Sequence, residues 1–396
     1  MTLAAAIEGR TADEPVWSKT SRIAEVEFFD DFGQAEPTWR SLETLHRFAT
    51  PFQRFDFLSL WQQQVGSREG FRPFVVIAYD RERRPLLLLP LGLNEARGIR
   101  IASFMGGKHA TFNMALWDRD FVTEAKRADL EVLVSAIRQR GEADVLALYR
   151  QPLKWQNQRN PMALLPHQTS VNGCPVMRLV AGASPTARVG LSLPGRLKSK
   201  ERRLKKLPGY RYFVASDDTD VTRLLDAFFR IKPQRMAAQR LPNVFEEPGV
   251  ENFVRDACMK HLANGERVLQ IHALECDDEV IAIFAGVADG DRFSLMFNTY
   301  TVSANSRHSP GLILISHIID HCAEHGYRAF DLGVGSDDYK RLFCKADESI
   351  FDCFVPLSPR GAVGAAVMSG VNRAKYFVKH SPALLQAARG LRRAVS

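Results

Sequence analysis

The chain has 396 residues, 45% hydrophobic and 25% charged, with 53 Lys+Arg against 45 Asp+Glu and a formal charge of +8. That composition excludes a disordered, collagenous or disulfide-rich chain and suits two globular domains. The longest apolar run, near Leu86 to Leu93, falls far short of the ~18 residues a membrane span needs. The N-terminus lacks the basic and apolar regions of a secretory signal. Six cysteines form no Cys-x-x-Cys pair and no zinc spacing, as expected of reduced thiols in a cytoplasmic protein.

Residues 1–20 show no hydrophobic period and read as a flexible arm. Residues 38–65 predict one or two helices broken at Thr50-Pro51, with Trp39, Leu42, Leu45, Phe57, Leu60 and Trp61 as apolar positions. Strands at 73–79 and 86–93 flank a charged turn. An amphipathic helix over 122–140 ends at Gly141 and leads into a strand at 144–149. Four prolines (152, 161, 166 and 175) mark 151–175 as a connecting region. A basic helix at 195–207 then precedes a strand at 210–215 and helices at 220–231 and 249–264. A three-strand meander spans 267–275, 279–289 and 292–298, turning at Asp277-Asp278 and Gly290-Asp291. The helix 311–325 ends at Gly326 and precedes a strand at 329–332.

Both halves thus run helices, antiparallel strands, a glycine-terminated helix and a strand, with Gly141 and Gly326 offset by 185 residues. This predicts an α/β (α+β) chain with two copies of one domain, each a mixed, largely antiparallel sheet flanked by helices. The expected limits are 21–180 and 181–358, followed by a basic helical tail at 359–396.

Positive charge is concentrated in two places. Residues 196–211 hold eight basic residues and one acid, and 361–396 hold six basic residues and no acid. One basic helix and one basic tail on an acidic body is not the aromatic-interleaved surface of a nucleic-acid binder. The helix suits a phosphorylated ligand and the tail an anionic membrane surface. In the tail, Val363, Val367, Val371, Ala374, Phe377 and Val378 fall on one helical side. That side either docks on the protein or meets lipid. Ser381-Pro382 interrupts the helix, and a second short one is expected at 383–393.

Several motifs fail. Gly106-Gly107-Lys108 lacks the first glycine of a phosphate-binding loop, and Gly333-Val334-Gly335 lacks the third glycine of a dinucleotide site. His317, His321 and His325 are spaced four apart and read as a solvated face rather than a metal site. One constellation survives: Ser306-Arg307-His308-Ser309-Pro310-Gly311 opens a helix directly after the meander. Ser309 suits the N-cap, Pro310 the first helical position, and Gly311 close approach of a ligand to free amides. Twenty residues on, a strand stops at Asp331-Leu332-Gly333-Val334-Gly335 and presents Asp337, Asp338, Tyr339, Lys340 and Arg341 as a site rim.

Taken in that order, the second half resembles the GNAT-type acyltransferases of the CelD-like family of cellulose and exopolysaccharide biosynthesis. These are related to the double-GNAT Fem transferases. The resemblance covers 185–355, with a weaker echo over 38–150. It implies acyl-CoA, acetyl-CoA above all, held at Arg307, His308, Ser309, Pro310, Gly311 and Asn298. It also implies catalytic roles for Asp331 as base, Tyr339 as acid and Lys340 as an orienting cation. Lys232 and Arg235 would line the side of a small-molecule or saccharide acceptor. A strand amide near Met296 to Asn298 would polarise the thioester. The first half would support the acceptor site without catalysing. No metal is implied. The alternatives are a non-catalytic scaffold of a polysaccharide-synthesis system and a Fem-like transferase using aminoacyl-tRNA. The coiled-coil arm of Fem proteins is not visible here.

Overall fold

The computed structural model describes residues 21–43, 47–179, 192–335 and 337–381. The expected arm at 1–20 and the short helix at 383–393 lie outside them. Strands are β1 Glu25–Phe29, β2 Arg47–Phe48, β3 Arg72–Tyr79, β4 Pro85–Ala96, β5 Ile99–Phe104, β6 Leu116–Asp118, β7 Val145–Pro152, β8 Lys154–Trp155, β9 Gln158–Arg159, β10 Gln168–Thr169, β11 Cys174–Arg178, β12 Arg211–Val214, β13 Gln270–Cys276, β14 Glu279–Ala288, β15 Arg292–Tyr300, β16 Ala329–Asp331, β17 Ala346–Glu348 and β18 Ile350–Pro356. Helices are α1 Phe32–Ser41, α2 Phe55–Trp61, α3 Arg119–Glu124, α4 Arg127–Arg140, α5 Ser192–Leu204, α6 Asp218–Ala238, α7 Val250–Met259, α8 Pro310–Glu324, α9 Asp338–Phe343 and α10 Pro359–His380.

Two mixed sheets flanked by helices carry the fold. The first runs β1-β3-β4-β5-β7-β18-β10, and the second β12-β13-β14-β15-β16-β11-β17. In each, three antiparallel pairs lead to one parallel pair: β5 with β7, and β15 with β16. The glycine-terminated helices α4 and α8 are the crossovers that such parallel pairs require. Gly141 and Gly326 both take the left-handed conformation that ends them, at φ 70° and 79°. The 185-residue offset therefore marks equivalent crossovers.

The sheets do not divide at residue 180. β11 lies between β16 and β17 in the second sheet, while β18 lies between β7 and β10 in the first. Each half receives an inner strand from the other. The connecting region is correspondingly more ordered than its prolines suggest, holding β8 to β11. β1, β5 and β18 had no clear sequence signal, because Arg100 and the charges at Glu25 and Glu27 interrupt the apolar pattern. The expected helix at 122–140 is two, α3 and α4, parted at Ala125 and Lys126.

Large aromatics fill the first core. Trp39, Trp61, Trp117, Phe52 and Phe57 are fully buried, each removing a few kcal/mol worth of apolar surface from water. Trp39 donates its Nε1–H to the Gln53 carbonyl at 2.9 Å, satisfying the ring's polar tip. The tail is not separate: α10 lays Gly361, Gly364 and Ala365 against the first sheet. A Cβ at Gly361 would overlap the Asp144 carbonyl, so only glycine allows that approach. Its valines face outward, not inward.

Candidate active site

β15 and β16 pair only from Arg292 with Ala329 to Ser294 with Asp331. Beyond Ser294 the two strands part, and β15 continues alone on that edge to Tyr300. A bulge opposite Ala285 and Gly286 shifts its register between Leu295 and Phe297, making Met296 the extra residue. The freed edge finds other partners. Leu295 O accepts from Thr111 Oγ1 at 3.4 Å, and Asn298 O accepts from Lys232 Nζ at 3.1 Å. In a strand the N–H and C=O of one residue share an edge, so the Asn298 N–H points into the same opening.

At the far side of that opening begins α8. Ser309 precedes it with φ 56° and ψ 52°, and its side chain makes no capping bond. Ser309 stands at the N-cap and Pro310 at the first helical position as expected, but the Ser309 hydroxyl accepts from Lys200 Nζ at 2.6 Å rather than capping the helix. Lys200 belongs to the basic helix α5, which packs along the 304–308 turn and α8. Burial, followed by the cations Arg307, Arg203 and Lys200, lowers the pKa of His308. Positive charge and the unpaired amides of a helix N-terminus thus coincide. Arg307 donates to His308 Nε2 at 3.2 Å.

A cavity of about 530 Å³ opens there, lined by Ser309, Gly311, Tyr300, Asn298, Lys232, Arg235, Asp337 and Tyr339 among others. Arg235 stacks its guanidinium 3.2 Å from the centroid of the Tyr300 ring. A Cβ on Gly311 would stand 3.2 Å from that ring, so any larger residue presses on the wall. Arg307, His308 and Pro310 form the adjoining turn without lining the cavity.

A second cavity of about 460 Å³ lies where the halves meet, between Lys108, His109, Thr111 and Arg150 of the first and Met296, Lys232 and Tyr339 of the second. Lys232, Asn298, Asp337 and Tyr339 line both cavities. Tyr339 receives a hydrogen bond from Asn298 Nδ2 at 3.4 Å, and burial pushes its phenol up to about 12. Burial, with Arg235 adding and Asp337 opposing, brings the Lys232 ammonium down to about 8.

Two expected catalytic residues hold other positions than those assigned. Asp331 is fully buried beneath the opening. Its Oδ2 accepts from Arg292 Nε at 2.6 Å and Ser294 Oγ at 2.5 Å, its Oδ1 from the Gly333 N–H at 2.9 Å and Cys174 Sγ at 3.5 Å. A carboxylate so occupied has no lone pair for a substrate, so the base assignment is corrected. Lys340 is buried and donates to the Gly333 and Val334 carbonyls, both at 3.2 Å. It fastens the loop after β16 rather than orienting a ligand. The histidine spacing also resolves: His317 stacks on Tyr212 with centroids 4.8 Å apart and pairs with Glu201 at 2.9 Å. Among the described residues no group of His, Cys, Asp or Glu could hold a metal.

Sequence reasoning missed Lys200 and the first-half residues Thr111, His109 and Arg150. Lys200 sat unremarked within a charge run, while Asp337 was named in the rim without a role. Nothing local marks the other three, which reach the site only through the packing of the halves.

Residues 194–341 match the acetyltransferase (GNAT) domain family. No curated protein matches the chain in sequence. Solved structures resemble it in fold. FemX does so with a TM-score of 0.54 at 8% identity, over 84% of this chain and 97% of that one. The C-terminal domain of a protein assigned as a lysylphosphatidylglycerol synthetase from Agrobacterium fabrum gives 0.52 at 11%, over 86% and 97%. The L-PGS structure from Bacillus licheniformis gives 0.51 at 11%, over 90% and 99%.

Proposed function

We propose that the protein is an acyltransferase carrying an acyl group, acetyl in the simplest case, from coenzyme A to an amine or hydroxyl. The observation that carries this reading is the shared wall: Lys232, Asn298, Asp337 and Tyr339 line both the cavity beside α8 and the cavity between the halves. Ligands in the two cavities meet at those four residues. The GNAT match over 194–341 supports an acyl donor in the first cavity. The α8 N-terminus with Lys200 and Arg307 suits its pyrophosphate. The resemblance to CelD-like proteins supports an envelope or polysaccharide precursor as acceptor in the second.

Transfer needs a proton taken from the nucleophile, the carbonyl oxygen held as charge develops, and a proton given to the leaving thiolate. Asp337 is the only carboxylate lining both cavities among the described residues, and we assign it the first task. The outward N–H of Asn298 takes the second. Tyr339, un-ionised at neutral pH with its phenol near 12, takes the third. One C–N or C–O bond forms as the C–S bond breaks, and sulfur leaves protonated.

Calorimetry with coenzyme A and thiol-release assays with acetyl-CoA over a panel of amines and sugars test this. Lys200→Gln and Arg307→Gln should each weaken coenzyme A binding about tenfold, or ~1.4 kcal/mol. Tyr339→Phe and Asp337→Asn should lower kcat about a hundredfold with donor affinity unchanged. A parent protein that ignores coenzyme A but is stabilised by an aminoacyl-tRNA would overturn the donor. Unchanged kcat in both variants would overturn the roles.

A further inference from the structure

We propose that the acceptor carries an anionic group, a carboxylate or a phosphate, seated between Arg150 and Lys232 in the cavity where the two halves meet. The inference rests on the transferase reading and deepens it by naming the acceptor's charge.

The cavity is lined by four cations, Lys108, Arg150, Lys232 and Lys340, against the single acid Asp337. Two of the four are already engaged. Lys108 pairs with Glu247, and Lys340 with Asp337 at 3.6 Å and two carbonyls. Arg150 and Lys232 are not. Arg150 gives Nη1 to the Ala110 and Lys108 carbonyls at 3.1 and 3.4 Å, and Lys232 gives Nζ to the Asn298 carbonyl. Neither has an ion-pair partner among the described residues. The carboxylate whose charge reaches Arg150, Asp352, makes no ion pair with its guanidinium. It accepts from the Arg150 backbone N–H at 2.8 Å, Ser170 Oγ at 2.5 Å and Asn372 Nδ2 at 2.7 Å.

Each cation feels a carboxylate without pairing to it, Asp352 for Arg150 and Asp337 for Lys232, so an anion that touches either one in the cavity gains an ion pair the protein does not supply. An unpaired donor also lies in the wall, behind the cavity surface. His109 Nδ1 accepts from Trp61 Nε1–H at 3.0 Å, so the neutral ring carries its proton on Nε2. That atom is buried without a hydrogen-bond partner among the described residues. Burial keeps the ring neutral by lowering its pKa to about 4. A wall in which cations outnumber acids four to one favours an oxyanion over a neutral polyol, which gains nothing from the excess charge.

The charge on Lys232 also sets a pH signature. It faces Arg235 on its own helix, Asp337 from the loop before α9, the Tyr339 phenol and the Phe245 ring. With its ammonium near 8 in the free protein, the cation fades as pH rises through that value, and anion affinity falls with it. Tyr339 and His109 do not change charge in that window.

The test is calorimetry on the full chain with coenzyme A saturating, so that the α8 phosphate subsite is filled. The probes are glucuronate, glucosamine 6-phosphate and neutral glucose. The charged probes should bind at least tenfold tighter than glucose. The stronger of the two identifies carboxylate or phosphate. Arg150→Gln and Lys232→Gln should each cost about tenfold, and glucuronate should weaken from pH 7 to pH 9. Equal affinity for glucose and the charged probes overturns the inference, as does unchanged affinity in both variants. Should the variants fail to fold, the parent's preference between probes decides alone. Coenzyme A titration in the same protein reports separately on the donor. If it does not bind, the transferase reading fails. The anion comparison is then run in the Arg307→Gln protein to keep phosphate off α8.

Discussion

Asp331 shows how one residue can look catalytic in sequence and be structural in space. A carboxylate at a strand end beside Gly-x-Gly fits a base, yet here it neutralises Arg292, whose guanidinium is buried and lies 4.7 and 4.6 Å from the ring centroids of Phe112 and Trp155. Glu348 shares the charge at 2.8 Å. Removing one partner of a buried pair costs about 3–5 kcal/mol, because the other charge stays behind without compensation. Asp331→Ala should therefore lower stability by roughly that amount in urea unfolding. Tyr339→Phe, which deletes one long hydrogen bond, should barely move it. If Asp331→Ala melts like the parent and loses only turnover, the structural role is wrong. The spacing of Asp331 was legible in the sequence. Its partners were not, since Arg292 is 39 residues away and Cys174 is 157.

At the scale of elements, α10 carries an unusual face. Its small residues dock on the first sheet, while Val363, Val367, Val371 and Phe377 are 67, 59, 49 and 67% exposed. The stripe expected from spacing is real, and the reading in which it docks on the protein is corrected: a valine could not fit where Gly361 meets the Asp144 carbonyl. Arg360, Arg373 and Lys375 are exposed around it, and residues 359–396 contain no acid. A basic helix with an outward apolar stripe suits the interface of an anionic bilayer, each cation adding about 1 kcal/mol near the surface. None of the described helices is long and apolar enough to cross a membrane, so the expected contact lies along the surface. Sedimentation with phosphatidylglycerol vesicles should show binding that falls with salt. Replacing Val363, Val367 and Val371 by serine should abolish it. Retention by that variant, or equal binding to phosphatidylcholine, would rule the stripe out as the contact.

Across the whole molecule, the exchange of β11 and β18 makes the halves interdependent. Without β18, the first sheet loses the strand that pairs with β7 over Val145 to Pro152. The cavity between the halves loses a wall if either is removed. Residues 21–180 or 181–358 expressed alone should therefore give insoluble or molten protein, with an open β7 or β16 edge available for aggregation. A cooperative thermal transition in either fragment would contradict this.

The sequence by itself determined what is local: the helix and strand periods, the glycine-ended crossovers that repeat at 185 residues, the helix start at Ser309-Pro310-Gly311 and the basic helix before β12. Each depends on residues within a turn or two, where period, capping and charge density act. Tertiary structure alone decided which partner each charge meets. It brought Lys200 to Ser309, closed Asp331 into a network with Arg292, and placed Arg150 and Lys232 on the wall of one cavity. Electrostatic and hydrogen-bonding roles are fixed by distance in space, and strands exchanged between two sheets place residues far apart in the chain within that distance.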